Sequence, residues 1–164
     1  MKHAKLFEQF LFEIGDRSAK PYKYEIIGQI KKLSKVGYKL YIEFTTDSKL
    51  EYELRLINYD MLLEVDFFVA NLEDRLAETN RGELFKVMAT IAEIVKEALI
   101  ENPKIKGLVY EPKAKIYDRG VDDDMGSQRD KLYRLFINKA AKTMGKKVKF
   151  MQRSNEFVVY AFFI

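Results

Sequence analysis

The sequence predicts an α+β protein built on a single mixed sheet, and three observations carry that expectation. Three runs, at Tyr22–Ile26, Tyr38–Phe44 and Leu50–Leu56, alternate side chains with a period of two, the pattern of half-buried strands. Two stretches with helical spacing occur in the second half and are separated by a short strand-like run, "IKGLVYEPK". The chain then closes on two β-rich runs, "KKVKFMQR" and "EFVVYAFFI". The expected order is a helix, an antiparallel meander of about four strands, a long helix, a strand, a helix and a hairpin. Helices interleave with strands only in the second half, so the parallel, α/β-like part belongs there.

Each element has a local cause. In "KLFEQFLFEI" the residues Leu6, Phe7, Phe10, Leu11 and Ile14 share one helical face, and Gly15 closes the helix. In "YKYEIIGQI", Tyr22, Tyr24 and Ile26 alternate until the register breaks near Gly28. "GYKLYIEFTTD" sets Tyr38, Leu40, Ile42 and Phe44 on one face, and Asp47-Ser48 is a short turn. "KLEYELRLINYD" alternates Leu50, Tyr52, Leu54 and Leu56 with charged residues, and "MLLEVDFFVANL" is rich in strand formers. Asn80 is placed to cap the next helix, with Glu83 capping back. That helix, 83–101, carries Leu84, Val87, Met88, Ile91, Ile94, Val95, Ala98 and Leu99 over most of its circumference. It is therefore expected against the sheet with other structure on part of its outside. Asn102-Pro103 stops it. "AKIYDRGVDDDMG" reads as a polar loop, Ser127 and Asp130 as the capping pattern of the following helix, Gly145 as its stop, and Ser154-Asn155 as the hairpin turn.

At 164 residues, nearly half of them apolar and including ten Tyr and twelve Phe, the chain suffices for one domain, 1–164, with a sizeable core. The absence of cysteine excludes disulfides, thiolate metal sites and a cysteine nucleophile. The only histidine, His3, sits in a lysine-containing terminal segment, so a multi-histidine metal site is excluded and no metal is expected. A net charge of +4 falls well short of a dedicated nucleic-acid binder. No apolar run approaches the ~20 residues that cross a bilayer, and charges interrupt the apolar part of the N-terminus. The expectation is a cytoplasmic protein with no membrane partner.

The element order resembles that of the GNAT-type N-acetyltransferases, in which a meander leads to a long helix, a strand, a helix and a final strand pair. Their acetyl-CoA loop opens the long helix with an Arg/Gln-x-x-Gly-x-Gly/Ala pattern. Here "ETNRGELFKVMAT" offers Arg81-Gly82, with Leu84 and Phe85 where a second small residue belongs. The resemblance implies that Asn80, Arg81, Gly82 and Glu83 would hold the coenzyme. It also implies that Tyr133, in "RDKLYRLF", would be the acid toward the coenzyme thiolate, although the Gly-Phe that follows it in the family is missing. The second half is also similar to a group of small bacteriophage proteins. It shares with them Lys86, Val87 and Thr90 on the long helix, the Asn102-Pro103 stop, and Arg129 with Leu132-Tyr133. That likeness implies a phage-encoded accessory protein, in the host cytoplasm or the virion.

Three segments are candidate sites. At ~100° per residue, the helix in "GSQRDKLYRLFINKAAKTMG" turns Leu132, Tyr133, Phe136, Ile137, Ala140 and Met144 to one side. Lys131, Arg134, Asn138 and Lys142 fall on the other, continued past the helix by Lys146, Lys147 and Lys149. The bland reading makes Tyr133 a core residue and the basic side a solvated face; the functional reading makes Lys131, Arg134, Lys142, Lys146 and Lys147 a contact surface. Asp122, Asp123 and Asp124 lack the alternation and distant Glu of a calcium loop and read as a solvated loop that also favours a helix start. Residues 79–82 precede a helix N-terminus, where an anion is favoured, but Glu78 and Glu83 oppose a phosphate. The expected function is macromolecular contact without a cofactor, with a protein as first partner and a nucleic-acid backbone as second. The alternative is an acetyl-CoA-dependent N-acyltransferase, for which Leu84 and Phe85 predict weak coenzyme binding.

Overall fold

A computed structural model describes residues 19–30, 39–70, 83–111, 123–152 and 158–164. The expected N-terminal helix, His3 and the 79–82 loop lie outside them. Seven strands are described: β1 (Tyr24–Ile30), β2 (Lys39–Thr45), β3 (Glu51–Tyr59), β4 (Leu62–Val69), β5 (Gly107–Tyr110), β6 (Val148–Gln152) and β7 (Val159–Phe163). The two described helices are α1 (Leu84–Glu101) and α2 (Asp123–Thr143). The strands form one mixed sheet, as the alternation of elements predicts, and lie in the order β1-β2-β3-β4-β5-β7-β6. Every pairing is antiparallel except β4 with β5, which α1 connects. The closing hairpin turns back into the sheet, so β7 separates β5 from β6.

The register follows the hydrophobic alternation. Ile42 faces Leu54 and Phe44 faces Tyr52 across β2 and β3, and Leu54 and Leu56 are fully buried. A one-residue slip would turn this whole set to the other face, which is why the alternation specifies the pairing. The β1–β2 ladder shifts between Ile26 and Gly28, where the sequence breaks its alternation. The face carrying Ile42, Tyr52, Leu54, Leu63, Leu108, Val159 and Ala161 makes one core with the buried side of α1.

α1 buries Phe85, Val87, Met88, Thr90, Ile91, Ile94, Val95, Ala98 and Leu99, the wide apolar face read from its sequence. Its one fully buried polar residue is satisfied: the Tyr22 amide donates to Thr90 Oγ1 (2.8 Å), and the Thr90 hydroxyl donates to the Lys86 carbonyl (2.7 Å). Asn102 stops the helix and ties it off, Nδ2 donating to the Ala98 carbonyl at 2.9 Å.

Two capping expectations are corrected. Glu83 occupies the N-cap position of α1 without a side-chain cap bond; its carboxylate instead accepts the Ser48 amide (2.8 Å) and hydroxyl (2.6 Å) from the β2–β3 turn. A tertiary partner with two donors outcompetes a local cap. The helix expected to start at Ser127 already includes Asp123, so the end of the expected polar loop is helical. Gly145 ends α2 as expected. At φ +69° it adopts the left-handed conformation, with Lys146 N–H bonded to the Ala141 carbonyl (2.9 Å) and Gly145 N–H to that of Lys142 (3.1 Å).

Candidate functional site

The sheet has one parallel pairing, β4 with β5. β4 and β5 are paired only from Leu62/Gly107 to Glu64/Val109, while β4 continues to Val69. Gly107 permits this joint: a Cβ there would lie 2.8 Å from the Ala161 carbonyl oxygen and 3.2 Å from Leu62 and Phe162 side-chain carbons. β5 ends at Tyr110, one residue past its last pair with β4. In open sheets such parallel ends, followed by helices, are where ligands are received.

Three aromatic rings meet beside the end of β5. Phe67 comes from β4, Tyr110 from β5 and Tyr133 from α2. The half-buried Tyr133 ring stands edge-on to both, with centroids 5.8 Å from Phe67 and 5.6 Å from Tyr110. Such T-shaped packing suits the ring quadrupoles and fixes the orientation of Tyr133. The Tyr110 hydroxyl donates to Asp130 Oδ1 (3.1 Å), and Arg134 Nε donates to Oδ2 of the same carboxylate (2.7 Å). The Arg134 guanidinium also lies over the Phe150 ring of β6, 4.6 Å from its centroid. Burial, and then the negative charge of Asp130, push the Tyr110 phenol well above its ordinary range, so it remains a protonated donor.

This geometry sorts the residues singled out from sequence. Tyr133 lies in the apolar arc, as its helical position predicts, and beside the end of β5 as well. Asp130 is the carboxylate that joins α2 to β5 rather than a cap. Arg134 is half-buried and committed to Asp130 and Phe150, whereas Lys131, Lys142, Lys146 and Lys147 are exposed. Of the coenzyme-loop residues, Asn80, Arg81 and Gly82 lie outside the described residues, and Glu83 is bonded to Ser48. Phe85 does not obstruct the helix N-terminus. It is 1 % exposed and packs in the core, 5.9 Å from the Phe136 ring. Behind that N-terminus, Lys86 Nζ sits 4.0 Å above the Tyr22 ring and 3.2 Å from Asp47. Asp122 lies outside the described residues, and among those described no group of acids or histidines is arranged to hold a metal.

Sequence reasoning missed Phe67 and Tyr110, because no local pattern ties residues so far apart to α2. It also missed how lysines converge at the opposite end of the sheet. Lys106 donates its amide to Met61 and accepts that of Phe163, and the neighbouring Ile164 exchanges two backbone bonds with Lys147. Lys104 and Lys106 line an open cleft of about 500 Å³ with Asp60, Met61 and Pro103. The exposed Lys142 lies in the last turn of α2, and the exposed Lys146 follows the helix beside Lys147.

Comparison of the chain with protein-family models, with curated proteins and with solved structures returns no match. Among the described residues no helix is long and apolar enough to cross a membrane.

Proposed function

We propose that this is an accessory protein with an acetyltransferase-like arrangement of elements, acting by contact with an acidic protein surface. The observation that carries the reading is the convergence of Lys104, Lys106, Lys142, Lys146 and Lys147 at one end of the sheet, where Asp60 and Glu101 are the acids nearby in the chain. A phage-encoded or virion-associated setting rests on the likeness of the second half to small phage proteins. Exposed lysines form pairs screened over a ~10 Å Debye length, so binding is electrostatic and salt-sensitive. The test is a fluorescence titration of a poly-glutamate peptide and of duplex DNA against wild type and a Lys142→Glu/Lys146→Glu/Lys147→Glu variant at several salt concentrations. Salt-sensitive peptide binding that the variant loses supports the reading. DNA bound more tightly than the peptide transfers it to a nucleic-acid partner, and no difference between the two proteins makes the lysines a solvated face.

A second reading, an acetyl-CoA-dependent N-acyltransferase, is favoured by Tyr133 standing beside the end of β5 between Phe67 and Tyr110, and by the Phe85 side chain being turned into the core. In that reading the Tyr133 phenol protonates the departing thiolate, while Phe67 and Tyr110 orient its ring. Calorimetry with acetyl-CoA tests it. Micromolar affinity with turnover lost in Tyr133→Phe would place this reading first; no heat of binding would remove it.

A further inference from the structure

The lysine-rich end of the sheet also carries exposed apolar side chains. Met61, 55 % exposed, stands in the turn between β3 and β4, Ile100 in the last turn of α1, and Ile164, 73 % exposed, just past β7. Backbone bonds set the strand ends side by side: the Lys106 amide donates to the Met61 carbonyl (2.7 Å), and the Phe163 amide to the Lys106 carbonyl (2.8 Å). The cleft of about 500 Å³ is here, with Met61 and Pro103 as its apolar lining, Lys104 and Lys106 as its cations and Asp60 as its acid. Lys106 Nζ donates to the Pro103 carbonyl at 3.3 Å, a neutral partner that leaves the positive charge in place. The wall at 103–106 is fixed at both ends. The buried Ile105 donates its amide to the Asn102 carbonyl (3.0 Å), Asn102 is bonded to α1, and Lys106 is bonded to Met61. A cleft held in this way loses little freedom when it is filled.

We infer that this cleft seats an apolar side chain of an acidic peptide segment, whose flanking carboxylates meet Lys104 and Lys106. The inference rests on the reading of the lysine-rich end as the contact surface, and it names what the partner presents there. Met61 and Pro103 give the anchor its apolar contact, and the lysines select the acidic residues on either side of it. A phosphate backbone would match the lysines but would set charged oxygens against Met61 and Pro103, and charge taken out of water without a partner is costly. Asp60 opposes the carboxylates, so neutralising it favours the bound state. Burial of the anchor contributes a part that salt does not screen, whereas the lysine contacts weaken as salt rises. Anchor and lysines are therefore separable in one titration.

The probes are a glutamate-rich peptide with one central leucine and the same peptide with serine in its place, titrated by fluorescence anisotropy against the full chain. The leucine peptide should bind about tenfold more tightly, the gain expected from burying part of one apolar side chain. That ratio should persist from low to moderate salt while both affinities fall. Met61→Gln changes an exposed side chain and keeps the backbone bond to Lys106, and it should remove most of the preference. Asp60→Asn should tighten both peptides; asparagine tolerates the positive φ of 58° at this turn residue. Equal affinity for the two peptides, with both weakened by salt, would overturn the anchor and leave the lysine contact standing. A preference retained in full by Met61→Gln would also overturn it, by placing the anchor elsewhere. Binding of neither peptide would remove the contact reading together with the anchor. Phosphatidylserine vesicles that bind the protein where the leucine peptide does not would overturn the inference in favour of a membrane surface.

Discussion

α1 and α2 lie on the same face of one sheet, yet their surroundings differ. α1 has buried residues around much of its circumference, from Phe85 in the first turn to Leu99 near the last, and its ends are tied down by Ser48 on Glu83 and by Asn102 on Ala98. α2 buries Leu132, Phe136 and Ala141 among its described side chains and turns Lys131, Leu135, Asn138, Lys139 and Lys142 outward. A helix enclosed on several sides has little freedom to do anything but hold the sheet. One that covers the sheet with a single stripe keeps a face for other work. Tyr133, Asp130 and Arg134 lie along the border of that stripe, which is why α2 brings together both candidate sites.

The largest effect should come from a charge in α1. Ile91 is 5 % exposed, and Ile91→Asp would leave an unpaired buried carboxylate costing about 3 kcal/mol or more. Leu135→Asp on α2, at a position 40 % exposed, should stay within about 0.5 kcal/mol. Urea unfolding of both variants measures the difference, and equal costs would erase the distinction between the helices.

The joint between the two halves of the sheet comes next. Gly107→Val forces its Cβ against the Ala161 carbonyl, which cannot move without disturbing the β5–β7 ladder. A loss of about 1–3 kcal/mol, typical of overpacking, is expected in the same unfolding measurement. A cost near zero would show that the β5–β7 ladder yields easily at Gly107.

Tyr110→Phe should cost about 1–2 kcal/mol near neutral pH by removing the hydroxyl from Asp130. The pH dependence sharpens this. The folded state keeps the Tyr110 proton to a higher pH than the unfolded chain does, because burial and Asp130 raise its pKa. The stabilisation linked to that shift is complete below the unfolded value of about 10 and is lost as pH rises above it. Tyr22, raised to about 12 chiefly by burial, and Tyr24, raised to about 12 by burial and its bond to Glu97, act in the same direction. Thermal melts from pH 9 to 11 should show wild type losing stability more steeply than Tyr110→Phe; parallel curves would mean that Tyr110 ionises as freely in the fold as outside it.

The smallest effects separate the basic residues of α2. Lys142→Glu should leave the melting temperature nearly unchanged, since exposed charges contribute little. Arg134→Glu should lower it measurably, because a carboxylate would face Asp130 and the cover over Phe150 would be lost. Identical melts would return Arg134 to the solvated face that its helical angle suggests.

The sequence by itself determined the single mixed sheet, the meander, the two described helices and the burial of α1. It did so because alternation and helical spacing are local consequences of one face meeting water and the other meeting the core. Gly145 was legible for the same reason, since a left-handed helix stop is a property of one residue and its neighbours. The position of Tyr133 on the apolar side of α2 was also readable from spacing. It took the packed fold to limit the β4–β5 pairing to three residue pairs, to set Phe67 and Tyr110 beside Tyr133, and to give Asp130 to Tyr110 and Arg134 rather than to a helix cap. The packed fold likewise took Glu83 to Ser48 and removed Arg134 from the exposed basic face. These outcomes depend on which partner is nearest once the sheet has formed, and a hydrogen-bonding or charged side chain goes to the partner that satisfies it best in space, however far away in sequence.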